Sequence, residues 1–152
     1  MKLNIMLIDD NKIDLFVSNK IIERTCVNSS VRTFERGSTA INFLKIFEKI
    51  NKHQDQFIPD VILLDINMPE MNGFQFLKEF NKLEILRDKP IKIFMLSSST
   101  HLHDVIKVKR EKHCAGFLSK PLTMKSLNKV LSESQPYFNR KYYQNYTMTK
   151  SY

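Results

Sequence analysis

Val61-Ile62-Leu63-Leu64-Asp65-Ile66-Asn67-Met68-Pro69 runs four apolar residues straight into a carboxylate. A short, continuously apolar run of this kind reads as a strand covered on both faces, as in a parallel sheet flanked by helices. The same arrangement recurs along the chain. Leu7-Ile8 leads into Asp9-Asp10, Met95-Leu96 into Ser97, and Phe117-Leu118-Ser119 into Lys120-Pro121. Three carboxylates, a hydroxyl and an ammonium are therefore expected at the carboxyl edge of one sheet, where open α/β sheets bind ligands. Like charges gathered there oppose one another's ionisation unless a cation neutralises them. The pattern predicts a hard divalent metal beside a carboxylate left free to react.

Working outward, strand-like runs begin near residues 3, 30, 60, 91 and 115, with helical spacing between them. Ile13, Phe16, Val17 and Ile21 fall on one helical face, as do Ala40, Phe43, Leu44 and Phe47. Phe76, Leu77 and Phe80 form a third stripe, Leu102, Val105 and Ile106 a fourth, and Leu127, Val130 and Leu131 a fifth. All five stripes read as core. Ser38 and Thr123 are expected helix caps, with Gly37 and Gly73 marking turns. Five alternating β-α units specify an α/β fold, a doubly wound five-stranded parallel sheet with five helices. The segments near 5–8, 61–64 and 91–96 are apolar enough to be central, while those near 30–35 and 115–118 are mixed, as edge strands are. That ranking gives the order 2-1-3-4-5, with its switch point between the strands ending in Asp9-Asp10 and Asp65.

At 152 residues the chain is one domain of ordinary size, expected over 1–135, followed by a Tyr-rich tail over 136–152. All five tyrosines lie between Ser134 and Tyr152, and Pro136 closes the last helix. No run approaches the roughly 18 apolar residues of a membrane span, and the start, Met1-Lys2-Leu3-Asn4-Ile5, lacks a leader pattern. Cys26 and Cys114 have no metal-like spacing and read as free thiols in a reducing cytoplasm. The net charge of +8 rests on 18 lysines against 6 arginines, spread along the chain. Nucleic-acid faces favour clustered arginine, so neither direct nucleic-acid binding nor a membrane partner is expected. His101, His103 and His113 read as surface residues, and no Gly-rich phosphate loop or nucleophile elbow is present.

A metal such as Mg2+ takes octahedral oxygen ligands and keeps several waters. Asp10 and Asp65 would bind it directly, Asp9 would hold a metal-bound water, and the Asn67 main-chain carbonyl would complete the protein's share. Phosphoryl transfer makes the fullest use of these parts, with Asp65 as an oxygen nucleophile forming an acyl phosphate. Lys120 would place positive charge near the phosphoryl oxygens, and Ser97 would donate a hydrogen bond. A cis bond at Pro121 would aim Lys120 into the site.

Leu7-Ile8-Asp9-Asp10, Leu64-Asp65-Ile66-Asn67-Met68-Pro69, Met71-Asn72-Gly73-Phe74, Met95-Leu96-Ser97-Ser98 and Gly116-Phe117-Leu118-Ser119-Lys120-Pro121 together resemble the receiver domain of bacterial two-component response regulators, from Lys2 to Gln135. The resemblance implies a flavodoxin-like fold and Mg2+-dependent phosphotransfer to Asp65 from a sensor histidine kinase or histidine phosphotransfer protein. It also implies that Ser97 and Phe117 are switch residues, and that the protein acts by binding a downstream protein rather than as an enzyme, beyond its own phosphorylation and dephosphorylation. Phe117 stands where tyrosine is common, so no phenolic hydrogen bond can mark the switched state, and Ser98 stands where a smaller residue is common. The chain ends soon after the fifth unit, which suggests a single-domain, chemotaxis-regulator-like protein or phosphorelay intermediate. The expected output and homodimer face is the fourth helix, fifth strand and fifth helix, where Lys107, Lys109, Arg110 and Lys112 add positive charge. The alternative is a Mg2+-dependent, aspartate-nucleophile phosphohydrolase of the haloacid dehalogenase type. That class needs a second carboxylate two residues after the nucleophile, where this chain has Asn67.

Overall fold

A computed structural model describes residues 2–49, 57–84, 90–98, 102–111 and 113–133. The Tyr-rich tail, His101, Lys112 and most of the loop preceding Pro59 lie outside the described residues. Among the described residues five strands alternate with five helices: β1 (Leu3–Ile8), α1 (Lys12–Thr25), β2 (Ser29–Phe34), α2 (Gly37–Lys49), β3 (Val61–Asp65), α3 (Gly73–Phe80), β4 (Lys92–Ser97), α4 (Leu102–Arg110), β5 (Cys114–Ser119) and α5 (Met124–Glu133). The sheet is parallel throughout, in the order β2-β1-β3-β4-β5. The central strands are the apolar ones, and β3 is buried from end to end.

Alternation along the central strands sorts their side chains into two cores. Met6, Ile8, Ile62, Leu64, Ile93 and Met95 face one way and meet Leu44 of α2, Phe76 and Phe80 of α3 and Val108 of α4. Ile5, Leu7, Leu63, Phe94 and Leu96 face the other way and meet Leu15 and Ile22 of α1 and Leu127 and Val130 of α5. Each such side chain contributes about 1.5–3 kcal/mol on burial.

Two helices are rotated from the faces their apolar spacing predicts. In α1 the buried residues are Leu15, Ser18, Ile22 and Thr25, while Ile13 and Phe16 are 71% and 64% exposed. Apolar residues lie on both sides of this helix, so periodicity alone cannot choose a face. The sheet seats Leu15 and Ile22, and the Thr25 hydroxyl on that face donates to the Ile21 carbonyl at 2.7 Å. In α4 the buried anchor is Val108, and Ile106 is exposed.

Caps position the helices that carry the site. The Asn11 side chain accepts from the Ile13 and Asp14 amides and starts α1 immediately after Asp9-Asp10. Asn72 and Gln75 form a reciprocal capping box at α3. Thr123 caps α5 as expected, its hydroxyl accepting from the Ser126 amide at 3.1 Å, whereas Ser38 falls inside α2. Gly73 is required by a close approach: a Cβ there would lie 2.7 Å from the Asp65 carbonyl oxygen.

Candidate functional site

The ladder fixes the ends of the strands before any side chain acts. Ile8 pairs with Leu64, Asp65 with Leu96, and Ser97 with Ser119. Beyond the paired region the Asp9 amide donates to the Phe34 carbonyl, the Ile66 amide to Leu96, and the Lys120 amide to the Ser97 carbonyl at 2.9 Å. Asp9, Asp65, Ser97 and Lys120 are thereby held at adjacent ends of four elements. Gly73 seats α3 against this edge through its amide bond to the Ile66 carbonyl.

Asp9, Asp10 and Asp65 each place a carboxylate oxygen within 4.8 Å of the others. Asp9 and Asp65 are buried, and Asp10 faces solvent. Three hard oxygens converging at the mouth of a crevice suit a cation such as Mg2+, with Asp10 on the open side where coordinated water can remain. Asn67 is exposed in the loop after β3, Phe117 is half-buried against the first core, and the Lys120-Pro121 peptide bond is cis.

Lys120 is the electrostatic centre. Its ammonium lies 2.6 Å from Asp9 Oδ2, 2.8 Å from Asp65 Oδ1 and 3.0 Å from Asp14 Oδ2. Burial is the largest single influence on the lysine and acts to discharge it, but the bonds to Asp65, Asp9 and Asp14 together prevail and raise its pKa above the ordinary value. For Asp9 the balance falls the other way. Burial raises its pKa above 3.8, despite the Lys120 bond and the Asn11 amide donating to Oδ1 at 2.9 Å. A carboxylate that remains costly to ionise even with a lysine attached is one that gains from a further cation.

Asp14 does not emerge from the strand-end pattern, because it sits in the first turn of α1. The available signal was its place four residues after Asp10, one helical turn into the helix that starts at the site. Glu70, in the loop after Asp65, has φ of 64°, a conformation non-glycine residues rarely adopt. On α4, Lys107 lies 3.9 Å from the centroid of the Phe74 ring in α3, so one lysine of the expected output face already has a partner within the domain.

A family model described as the response regulator receiver domain matches residues 5–132. A two-component response regulator from Cytophaga hutchinsonii superposes with a TM-score of 0.77 at 28% identity, covering 90% of this chain and 99% of that one. The probable methanogenesis regulatory protein FilR2 of Methanothrix harundinacea is 24% identical over 134 residues, covering 88% of this chain and 82% of that protein. The peroxide stress-activated histidine kinase mak1 of Schizosaccharomyces pombe is 28% identical over 138 residues, which span 90% of this chain and 8% of the kinase.

Proposed function

The chain belongs to the response regulator receiver family, and from that premise we propose that Asp65 accepts a phosphoryl group from a phosphohistidine of a sensor kinase or phosphotransfer protein. Membership of a mainly phospho-signalling family supports this reading over the phosphohydrolase alternative. The observation that carries the proposal is Lys120 bridging Asp65 and Asp9, with an Asp10 oxygen beside them. A nucleophilic carboxylate is thus held among charges that a transferred phosphoryl group can redistribute.

Asp9, Asp10 and Asp65, with the Asn67 main-chain carbonyl, are the residues assigned to Mg2+. When bound, the ion would neutralise charge developing on the transferred group. A carboxylate oxygen of Asp65 attacks phosphorus in line, the phosphorus–nitrogen bond of the donor breaks, and its electron pair stays with the imidazole. Lys120 then exchanges its bond to Asp65 Oδ1 for phosphoryl oxygens, and Ser97, buried at the end of β4, donates from its hydroxyl. Self-dephosphorylation reverses the modification by hydrolysing the acyl phosphate.

Ser97 and Phe117 are assigned as the residues that pass the change to α4, β5 and α5. Output is binding of a downstream protein or pairing of two receivers on that face, where Lys109 and Arg110 remain exposed. A relative in which a receiver-like segment is part of a histidine kinase supports phosphotransfer between such partners. Coverage of 82% of FilR2 and 99% of the Cytophaga chain favours a receiver acting as its own unit, with 1–135 as the domain and 136–152 as an appended tail. Among the described residues no helix is long and apolar enough to cross a membrane, and two free cysteines favour a reducing cytoplasm.

Incubation with a small phosphodonor and Mg2+ tests the assignment. One acid-stable, base-labile phosphoryl group should appear, and it should be absent in Asp65→Asn and in chelator. Label surviving in Asp65→Asn, with Asp9 and Asp10 excluded as rescue sites by peptide mapping, would refute it.

A further inference from the structure

Lys120 has one carboxylate more than the chemistry at Asp65 requires. The third, Asp14, belongs to α1 and stands apart from the oxygen cluster of Asp9, Asp10 and Asp65. Its side chain is 33% exposed, against 5% for Asp65 and 4% for Asp9. We propose that Asp14 is a positioning residue, an anchor at the rim that retains the Lys120 ammonium when a cation engages the deeper carboxylates and competes for it with a phosphoryl group. The inference rests on the reading of Asp65 as phosphoacceptor and adds the residue that sets how readily Lys120 is released to it.

An ammonium has three donors, and three carboxylates meet this one between 2.6 and 3.0 Å. The ammonium is already engaged by three carboxylates, so a phosphoryl oxygen bound by Lys120 competes with contacts already made. Asp9 and Asp65, if they held a divalent cation with Asp10, would have less charge to offer the ammonium, and two of the three contacts would weaken. Asp14 contributes no oxygen to the cluster, so its hold persists and becomes the chief competitor.

Local structure keeps Asp14 in place. Its amide donates to Asn11 Oδ1 at 3.3 Å, and the Asn11 amide donates to Asp9 Oδ1 at 2.9 Å, so Asp9, Asn11 and Asp14 form one braced turn. Beside it lies a narrow crevice lined by Asp14, Val17, Ser18, Lys120, Pro121 and Leu122. Asp14 also adds negative charge where a phosphoryl group would bring more, a repulsion that disfavours the modified state.

The test compares wild type, Asp14→Asn and Asp14→Glu by calorimetric titration with Mg2+ alone, and then with fluoroberyllate, a phosphoryl mimic, at saturating Mg2+. In Asp14→Asn, fluoroberyllate should bind about five- to tenfold tighter, because the charge-assisted bond holding the lysine back is gone. Mg2+ alone should bind about two- to fivefold weaker, because the ammonium stays on Asp9 and Asp65 and a nearby negative charge is lost. Asp14→Glu should restore both values toward wild type. Opposite shifts in the two affinities are what a purely structural role cannot produce. Unchanged fluoroberyllate affinity in Asp14→Asn, or both affinities falling together, overturns the proposal while leaving Asp65 as phosphoacceptor. Failure of wild type itself to bind fluoroberyllate overturns both.

Discussion

Replacing Lys120 with methionine removes the ammonium and keeps an unbranched, adaptable stem. The lost charge lies 2.6 Å from Asp9 and 2.8 Å from Asp65, both nearly shielded from water, and 3.0 Å from the more open Asp14. Stripping one partner from a buried ion pair costs about 3–5 kcal/mol. Exposure at Asp14 and Asp10 lets water screen part of this, so a loss of about 2–3 kcal/mol is expected at neutral pH without metal, roughly 10 °C in melting temperature. Two treatments should restore the variant. Without the ammonium, burial acts unopposed by Lys120 on Asp9 and lifts its folded-state pKa further above the ordinary value. The deficit is then full at neutral pH and disappears as pH falls below about 4. Mg2+ should replace the missing charge and bind the variant more tightly than wild type, because no ammonium competes for Asp9 and Asp65, and tighter binding means greater stabilisation. Urea unfolding in chelator and in Mg2+, at neutral and acidic pH, measures all of this. Equal stability of the two proteins in chelator at neutral pH would refute the reasoning. So would a larger Mg2+ stabilisation of wild type.

Gly73→Ala forces a methyl to 2.7 Å from the Asp65 carbonyl oxygen and 2.8 Å from Met95 Cε. The methionine end can yield but the backbone cannot, so a loss of about 1–3 kcal/mol is expected in denaturant unfolding, together with slower labelling of Asp65; unchanged values would contradict the close approach. Glu70→Gly relieves the residue at φ 64° and, among the described residues, gives up an exposed 3.7 Å contact with Arg36. Stability should rise by about 1 kcal/mol, and a fall in melting temperature would count against strain there. Burial pushes the Cys26 thiol up to about 11 from 9.0. Alkylation of the native protein at pH 8 should be about 100-fold slower at Cys26 than at an unperturbed thiol. Because the folded state holds this proton more tightly, the associated stability is full below pH 9 and is lost as pH rises through about 11. Rapid labelling at pH 8 in the folded state would show the thiol is accessible and unshifted.

The sheet and the convergence of polar residues at its carboxyl edge were legible because both depend on short-range patterns that tertiary packing cannot easily override. A strand apolar on every residue, as in Val61-Ile62-Leu63-Leu64, has to be central, and a polar residue ending it has to project at the carboxyl edge. Strand order then follows from ranking the runs by apolarity. The faces of α1 and α4 were less legible, for a different reason. Ile13 and Phe16 make as good a stripe as Leu15 and Ile22, and the choice between them is made by what the sheet presents, information absent from the helix itself.

Asp14 was hidden for a third reason, and the most instructive one. An acidic residue in the first turn of a helix already has an adequate explanation, since the positive end of the helix dipole favours it there. Nothing in the sequence sets it apart from an ordinary acidic residue near a helix start. Its significance arises only when β5, more than a hundred residues later in the chain, delivers an ammonium to the same place. Strand-end residues converge because one sheet aligns them all, so each can be read from its own strand. A helix residue reaches the same centre only through the angle to which α1 is rotated about its own axis. That angle is set by Leu15 and Ile22 entering the second core, the very packing that turned Ile13 and Phe16 outward. The misread face of α1 and the unread role of Asp14 therefore have one cause. Moving the buried face to Ile13 and Phe16 would rotate α1 about its axis and carry Asp14 away from Lys120, leaving the lysine on Asp9 and Asp65 alone.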